Sequence, residues 1–145
     1  MPHLIVIEDE PDVASLLAYA FASVGFSVAT AQDGMAGLHA IQARHPDLIL
    51  LDLLLPRLDG REVLRVLKAD PATRDIPVVV VSAVADATSR LGALNQGAAD
   101  FLAKPCSVKE VVRRARAALD RTEANDAEAG GREPDHAGSY DPHCG

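Results

Sequence analysis

The 145-residue chain has no tryptophan, few aromatic residues and only two cysteines. Aromatic side chains make up 3% of the residues, so a surface that stacks nucleobases is not expected. Cys106 and Cys144 are too few for a disulfide framework, which favours a cytoplasmic protein with reduced thiols. There is also no run of about 18 apolar residues, so we expect no membrane span. The N-terminus lacks the basic region of a secretory signal.

Positive charge is also scarce. Lysine and arginine number 14 against 21 acidic residues, a formal net charge of −7 that argues against binding a phosphate backbone, so no direct DNA binding is expected. Six acidic and two basic residues fall within 121–145, with several glycines and prolines and almost no large aliphatic side chains. We therefore predict one domain over residues 1–121 and an acidic, disordered tail over 122–145.

Short apolar runs alternate with helical patterns up to about residue 121. The strand-like runs are 4–7, 27–31, 48–51, 78–81 and 100–103. Helices are expected to begin near Pro11, Gly34, Asp59, Asp86 and Ser107, the last ending near Arg121. The apolar face of the first helix is expected to be Val13, Leu16, Leu17, Ala20 and Val24. Five strands alternating with five helices predict a doubly wound α/β fold with a parallel sheet.

Polar side chains follow four of the five predicted strands. They are Glu8 and Asp9, Asp52, Ser82, and Lys104. Because parallel strands end at the same edge of a sheet, we expect these side chains to lie together. Three clustered carboxylates repel each other and favour a bound cation, and oxygen ligands suit Mg²⁺. Such a site lets a phosphoryl group approach a carboxylate nucleophile, with Lys104 and Ser82 as donors to its oxygens.

Four motifs in this order resemble those of response-regulator receiver domains of two-component signalling, with the fold of single-domain chemotaxis regulators. They are IEDEP, LDLLLPRLDG, VVVVSA and DFLAKP. The resemblance implies a flavodoxin-like strand order 2-1-3-4-5. It also implies a signalling phosphoacceptor rather than an enzyme, one that assists its own Mg²⁺-dependent phosphorylation and slow dephosphorylation. The phosphoryl donor would be a sensor histidine kinase or a histidine phosphotransfer protein, and an unknown output protein would bind the face of the fourth helix, fifth strand and fifth helix.

The resemblance assigns a role to each matching residue. Asp52 would be the phosphoacceptor. The ligands of Mg²⁺ would be Glu8, Asp9, Asp52 and the backbone carbonyl of Leu54. The residues that contact the phosphoryl group or move with it would be Ser82, Ala83, Lys104 and Phe101. The peptide bond before Pro105 would be cis.

Two further roles concern signal lifetime and assembly. Leu54 and Val84 lie two residues after Asp52 and Ser82, where polar side chains of fast-hydrolysing relatives help to orient the attacking water. Both are apolar here, so we expect slow autodephosphorylation.

Charged residues that resemble the dimer contacts of receivers in winged-helix transcription factors are Arg90, Asp100, Glu110 and Arg114. They predict a phosphorylation-dependent homodimer, and a solvated charged face is the alternative.

Other functions remain as alternatives. A haloacid-dehalogenase-type phosphatase needs a second aspartate two residues after its nucleophile, where this chain has Leu54. A flavodoxin-like nucleotide-binding module needs a donor-rich loop after the first strand, where this chain has Glu8 and Asp9. A degenerate receiver that acts as an unphosphorylated scaffold would not need the complete set of chemical residues. Because about 25 tail residues cannot form a DNA-binding fold, a stand-alone receiver is expected.

Overall fold

The computed structural model describes residues 1–84 and 86–130. Residues 131–145 of the predicted tail lie outside the described residues. Within the described ranges, the strands are β1 (His3–Ile7), β2 (Ser27–Ala31), β3 (Leu48–Leu51), β4 (Val78–Ser82) and β5 (Asp100–Ala103). The helices are α1 (Pro11–Ala22), α2 (Gly34–Ala43), α3 (Gly60–Ala69), α4 (Ala87–Asn95) and α5 (Val108–Gly130).

The strands form one parallel sheet in the order β2-β1-β3-β4-β5, which confirms the predicted fold. β1 lies between β2 and β3, and Ile7 at its end aligns with Ala31 and Leu51. On the other side of β3 lies β4, and Ser82 at the end of β4 aligns with Ala103 at the end of β5. The C-terminal ends of β1 and β3 are therefore neighbours, and the residues that follow them meet at one edge of the sheet.

The core consists of two mainly aliphatic layers, one on each face of the sheet. In β1, Ile5 and Ile7 belong to one layer and Leu4 and Val6 to the other. Successive side chains of a strand point to opposite faces, so a strand covered on both sides is apolar at every position. This is why uninterrupted apolar runs correctly located β1, β3 and β4, whereas the edge strand β2 is mostly half-buried and contains Ser27 and Thr30.

Helix α1 differs from the prediction in the face that it buries. Leu16 is 54% exposed and Val24 41% exposed, whereas Phe21 is fully buried together with Ala14 and Leu17. The ring of Phe21 packs edge-to-face on Phe26, with centroids 5.2 Å apart and an interplanar angle of 87°. An aromatic side chain buries more apolar area than an aliphatic one, so Phe21 determines which side of α1 faces the sheet.

The N-terminal ends of the helices agree with the predicted helix starts, whereas α5 ends later than predicted. At the predicted starts near Gly34, Asp59 and Ser107, the side chains of Asp33, Asp59 and Ser107 each accept a backbone N–H, at 2.8, 2.8 and 3.0 Å. Helix α5 continues to Gly130, past the expected end near Arg121, because residues 122–129 contain no proline or glycine to stop it. The domain boundary at residue 121 stays a prediction. None of the described helices is long and apolar enough to cross a membrane.

Candidate functional site

The candidate site lies at the C-terminal edge of the sheet, where β1 and β3 end side by side. Backbone pairing continues one residue beyond each strand: Glu8 N donates to the carbonyl of Ala31 at 2.9 Å, and Asp52 N donates to that of Ile7 at 3.1 Å. These bonds hold Glu8 and Asp52 in the register of the sheet. Their positions are therefore set by rigid elements rather than by free loops.

Three carboxylates meet at this edge, as the sequence predicts. One oxygen from each of Glu8, Asp9 and Asp52 lies within 4.8 Å of the other two. Glu8 is only 3% exposed and Asp52 6% exposed, whereas Asp9 faces solvent. A donor set made only of carboxylate oxygens, open to water on one side, has the chemistry that Mg²⁺ requires of its ligands.

Lys104 bridges two of these carboxylates. Its Nζ lies 2.8 Å from Oε1 of Glu8 and 2.9 Å from Oδ2 of Asp52. Burial alone would lower the pKa of Lys104, but the hydrogen bonds to Glu8 and Asp52 outweigh burial and raise it above its ordinary value. Burial raises the pKa of Glu8 although Lys104 opposes this shift. The lysine is therefore charged, and a further positive charge nearby would stabilise the ionised form of the buried Glu8.

The backbone around Asp52 is closely packed. Oδ1 of Asp52 accepts the N–H of Leu54 at 3.0 Å, and Gly60 N donates to the carbonyl of Leu53 at 3.0 Å. A Cβ on Gly60 would lie 2.2 Å from the backbone oxygen of Asp52, so no other residue fits there without displacing the phosphoacceptor candidate. The close approach of Gly60 to Asp52 does not follow from the sequence, although the LDLLLPRLDG motif ends in the pair Asp59–Gly60.

Ser82 is the last residue of β4 and is followed by Ala83 and Val84, and the roles of all three stay predictions. Ser82 is fully buried, and its hydroxyl oxygen accepts the N–H of Val84 at 3.2 Å. Ala83 is exposed next to it. Leu54 is 50% exposed and Val84 is partly buried, so neither of the two predicted lifetime positions is closed off as part of the core.

Phe101 and the bond before Pro105 also occupy the expected places. The ring of Phe101 is buried, and the guanidinium carbon of Arg90 lies 5.1 Å from its centroid. Nη1 of Arg90 also reaches the Phe101 carbonyl, at 3.5 Å. The Lys104–Pro105 peptide bond is cis, as the resemblance implies. A switch role for Phe101 stays a prediction.

The four charged residues assigned to a dimer face make contacts within the chain. Arg114 binds Asp100 through Nε–Oδ2 at 2.7 Å and Nη2–Oδ1 at 2.6 Å, and it reaches Glu110 at 3.4 Å. Burial opposes a low pKa for Asp100, but the hydrogen bonds from Arg114 and from the Phe101 amide lower it overall. Pairing with a second copy would exchange these bonds for equivalent ones, so the dimer role stays a prediction.

Comparison with known proteins agrees with this geometry. The family model for the response regulator receiver domain matches residues 4–116. The DNA-binding dual master transcriptional regulator RpaA of Synechocystis sp. is 37% identical over 123 residues, which are 85% of this chain and 51% of that protein. The DNA-binding response regulator MtrA of Mycolicibacterium smegmatis is 39% identical over 125 residues, 86% of this chain and 54% of that protein. The chain therefore spans about half the length of these curated relatives.

Solved structures show the same fold. The receiver domain of the Francisella response regulator 1452 superposes with a TM-score of 0.78 at 29% identity, covering 84% of this chain and 99% of that chain. NtrX from Brucella abortus, in complex with ADP, superposes with a TM-score of 0.82 at 30% identity, covering 91% of this chain and 30% of that chain.

These relatives contradict the predicted partners. The prediction of no direct DNA binding is wrong, because the relatives RpaA and MtrA are both named as DNA-binding regulators. The expectation of a stand-alone receiver stays a prediction. Net charge and aromatic content describe the surface of the receiver itself. They carry no information about DNA contacts that a longer regulator makes with another part of its chain.

Proposed function

The chain belongs to the response regulator receiver domain family of two-component signalling, and on that basis we propose that it accepts a phosphoryl group on Asp52. The donor is a phosphohistidine on a sensor kinase or a histidine phosphotransfer protein. The observation that supports this most is the carboxylate cluster of Glu8, Asp9 and Asp52 with Lys104 at 2.9 Å from Asp52 Oδ2. A structural ion pair would not need the third, exposed carboxylate.

The proposed reaction is a single phosphoryl transfer. An oxygen of the Asp52 carboxylate attacks phosphorus, and the new O–P bond forms as the P–N bond to the donor imidazole breaks. The imidazole leaves with the electron pair and takes up a proton from solvent. Lys104 then pairs with a phosphoryl oxygen, and the Ser82 hydroxyl donates a hydrogen bond to another. The protein is thus a phosphoacceptor that turns over its own modification, not an enzyme that acts on another molecule.

The residues of the cluster fit a resident divalent cation. Glu8, Asp9, Asp52 and the backbone carbonyl of Leu54 would hold Mg²⁺. When bound, Mg²⁺ would neutralise the negative charge that the phosphoryl oxygens bring to the carboxylates. Without that charge, Lys104 is the one cation among the described residues that pairs with these carboxylates, and it does not balance three carboxylates and an incoming phosphoryl group. Phosphorylation is therefore expected to require the metal.

Intact-mass measurement after incubation with Mg²⁺ and a small acyl-phosphate donor tests the proposal. We expect one phosphoryl adduct in the wild type and none in Asp52→Asn. Asp59→Asn is the matched control, since Asp59 lies in the same segment and caps α3 without belonging to the cluster. It should keep the adduct, and removal of Mg²⁺ with a chelator should abolish it. A wild type that gains no adduct under these conditions overturns the proposal and favours an unphosphorylated scaffold.

For the output we propose regulation of transcription in the cytoplasm, since RpaA is named as a DNA-binding transcriptional regulator and MtrA as a DNA-binding response regulator. Support comes from 37% and 39% identity to RpaA and MtrA over most of this chain. Comparing transcript levels between a wild-type strain and one that carries Asp52→Asn tests this role. A defined set of transcripts should change, and identical transcript profiles under a condition that phosphorylates the wild type would contradict it.

A further inference from the structure

The N-terminus of α2 packs directly against the segment that follows Asp52. Gly34 is the first residue of α2, and a Cβ built on it would lie 2.2 Å from the carbonyl oxygen of Leu58 and 2.8 Å from the Leu58 Cβ. Real Cβ atoms essentially never approach other atoms closer than 3.0 Å. Any side chain at position 34 would therefore move either the helix or the backbone at Leu58.

The segment that Gly34 supports contains an unfavourable turn. Arg57 has a φ of 70°, in the left-handed region that non-glycine residues rarely adopt. The N–H of Leu58 donates to the carbonyl of Pro56 at 2.7 Å across it, which closes a three-residue turn of the rare, strained type. Such a conformation persists only when its surroundings hold it in place.

Contacts hold this segment at both ends as well as in the middle. We call residues 52–59 the phosphoacceptor loop. Gly60 fixes its two ends relative to each other through the close approach to Asp52 described above. In the middle, Asp33 caps α2 through the N–H of Ala36 at 2.8 Å and also lies 3.8 Å from Nε of Arg57. The side chain of Arg57 is 68% exposed, so its pair with Asp33 is weak, and the carbonyl of Leu58 against Gly34 is the main contact there.

We propose that Gly34 is a positioning residue for the phosphoacceptor loop. The missing side chain lets α2 support Leu58, and this support sets the path of the backbone that carries Asp52 and the carbonyl of Leu54. Gly34 itself touches none of the reacting atoms. The inference rests on the proposed function, because it assigns the loop geometry to Mg²⁺ binding and phosphoryl transfer.

The size of the expected effect follows from the distances. An added Cβ must separate from the Leu58 oxygen by roughly 1 Å more than the present backbone allows, since carbon–oxygen contacts of this kind lie near 3.3 Å. A displacement of about 1 Å in a positioning element can slow a reaction about 100-fold. For Gly34→Ala we therefore expect at least about tenfold weaker Mg²⁺ binding and at least about tenfold slower phosphorylation.

Gly92→Ala is the matched control. Gly92 lies within α4, and a Cβ added there meets nothing within 4 Å. Both variants are compared with the wild type by thermal unfolding, by Mg²⁺ titration calorimetry and by the rate of adduct formation from a small acyl-phosphate donor, all well below the unfolding temperature. Backbone amide spectra of the metal-free proteins add a readout that does not depend on the metal or on phosphorylation.

The outcomes separate positioning from simple destabilisation. We expect Gly34→Ala to shift the amide resonances of Leu54, Arg57 and Leu58 and to weaken Mg²⁺ binding, while Gly92→Ala behaves like the wild type. A Gly34→Ala protein with a lower unfolding temperature but unchanged loop resonances, Mg²⁺ affinity and rate would overturn the inference. If the wild type itself binds no Mg²⁺ and gains no phosphoryl group, the proposed function fails, and the metal-free spectra still decide whether Gly34 positions the loop.

A second variant covers the case in which Gly34→Ala does not fold. Leu58→Gly removes the Leu58 Cβ and gives the backbone freedom to turn its carbonyl away from α2. The double variant Gly34→Ala/Leu58→Gly is expected to fold and to show weaker Mg²⁺ binding than Leu58→Gly alone. Equal affinities in these two proteins would contradict a positioning role for Gly34.

Discussion

Replacing Lys104 by methionine tests how the carboxylate cluster is balanced in the absence of metal. Lys104 is 21% exposed and pairs at 2.8 and 2.9 Å with two carboxylates that are almost fully buried. Removing one partner of a buried ion pair costs about 3–5 kcal/mol, because a buried charge is left uncompensated. The site opens to solvent beside Asp9, so the lower end applies and we expect a loss of about 3 kcal/mol. For a chain of this size that corresponds to a fall of about 6–12 °C in Tm.

Two conditions should restore the stability of Lys104→Met. Mg²⁺ at about 100 times its dissociation constant stabilises every variant that keeps the site by about 2.7 kcal/mol, and it should stabilise Lys104→Met more than the wild type or Lys68→Met, because carboxylates that have lost Lys104 gain most from a cation. Acid should also help, since burial already raises the pKa of Glu8 and loss of Lys104 raises it further. A carboxyl group whose pKa is higher in the folded state destabilises the fold above that pKa, and the cost disappears as pH falls through it. The deficit should therefore shrink as the pH falls from neutral toward 4.5, the ordinary value for glutamate.

Lys68→Met is the matched control for this experiment. Nζ of Lys68 donates to the carbonyls of Arg74 and Ile76 at 2.8 and 2.9 Å, so its loss also costs stability. Neither Mg²⁺ nor acid replaces those hydrogen bonds. Thermal unfolding of the two variants, with and without Mg²⁺ and across pH, measures the difference. A Lys104→Met protein as stable as the wild type without metal, or one that responds to Mg²⁺ and acid no more than Lys68→Met does, would refute the reasoning.

Three further changes have defined outcomes. Leu54→Asn should shorten the lifetime of the aspartyl phosphate severalfold, measured as decay of the adduct mass. Leu91→Asn, at an exposed position of α4, should leave that lifetime unchanged. A wild-type adduct that decays within seconds and is unaffected by Leu54→Asn would contradict a role of Leu54 in signal lifetime. Phe101→Ala should cost about 3–5 kcal/mol in urea unfolding because its ring is buried, and a loss below about 1 kcal/mol would show that the ring is not packed. Asp100→Asn should lower the free energy of unfolding near neutral pH, because the bond with Arg114 stabilises only the ionised carboxylate. At a pH below the depressed pKa of Asp100, the same substitution should cost no stability. An equal loss near neutral pH and below that pKa would contradict this prediction.

The sequence was sufficient to predict the strands and the grouping of three carboxylates at one edge of the sheet. Apolar runs covered on both faces locate strands without any knowledge of their neighbours, and a parallel sheet necessarily brings their C-terminal ends to one edge. Glu8, Asp9 and Asp52 could therefore be grouped before any distance was known. The pairing of Lys104 with Glu8 as well as Asp52 was not predicted, because it depends on how far β5 projects toward β1.

Features that depend on close packing between distant segments were missed. The burial of Phe21 in α1 follows from its contact with Phe26, which periodicity within one helix does not show. The contact between Gly34 and Leu58 joins residues from two elements, and a glycine at a helix start gives no signal of a neighbouring backbone. The exclusion of DNA binding was wrong because the composition of the chain was taken to describe its partners, whereas RpaA and MtrA are named as DNA-binding regulators.

The central claim is that Asp52 carries the phosphoryl group, and locating the modified residue tests it most directly. Protein treated with Mg²⁺ and an acyl-phosphate donor can be reduced with borohydride, which converts an aspartyl phosphate to homoserine. Digestion and tandem mass spectrometry then locate that residue. We expect homoserine at position 52 alone, in wild type and in Asp59→Asn. Modification at Asp9, at another carboxylate or at none would contradict the assignment of Asp52 as the phosphoacceptor.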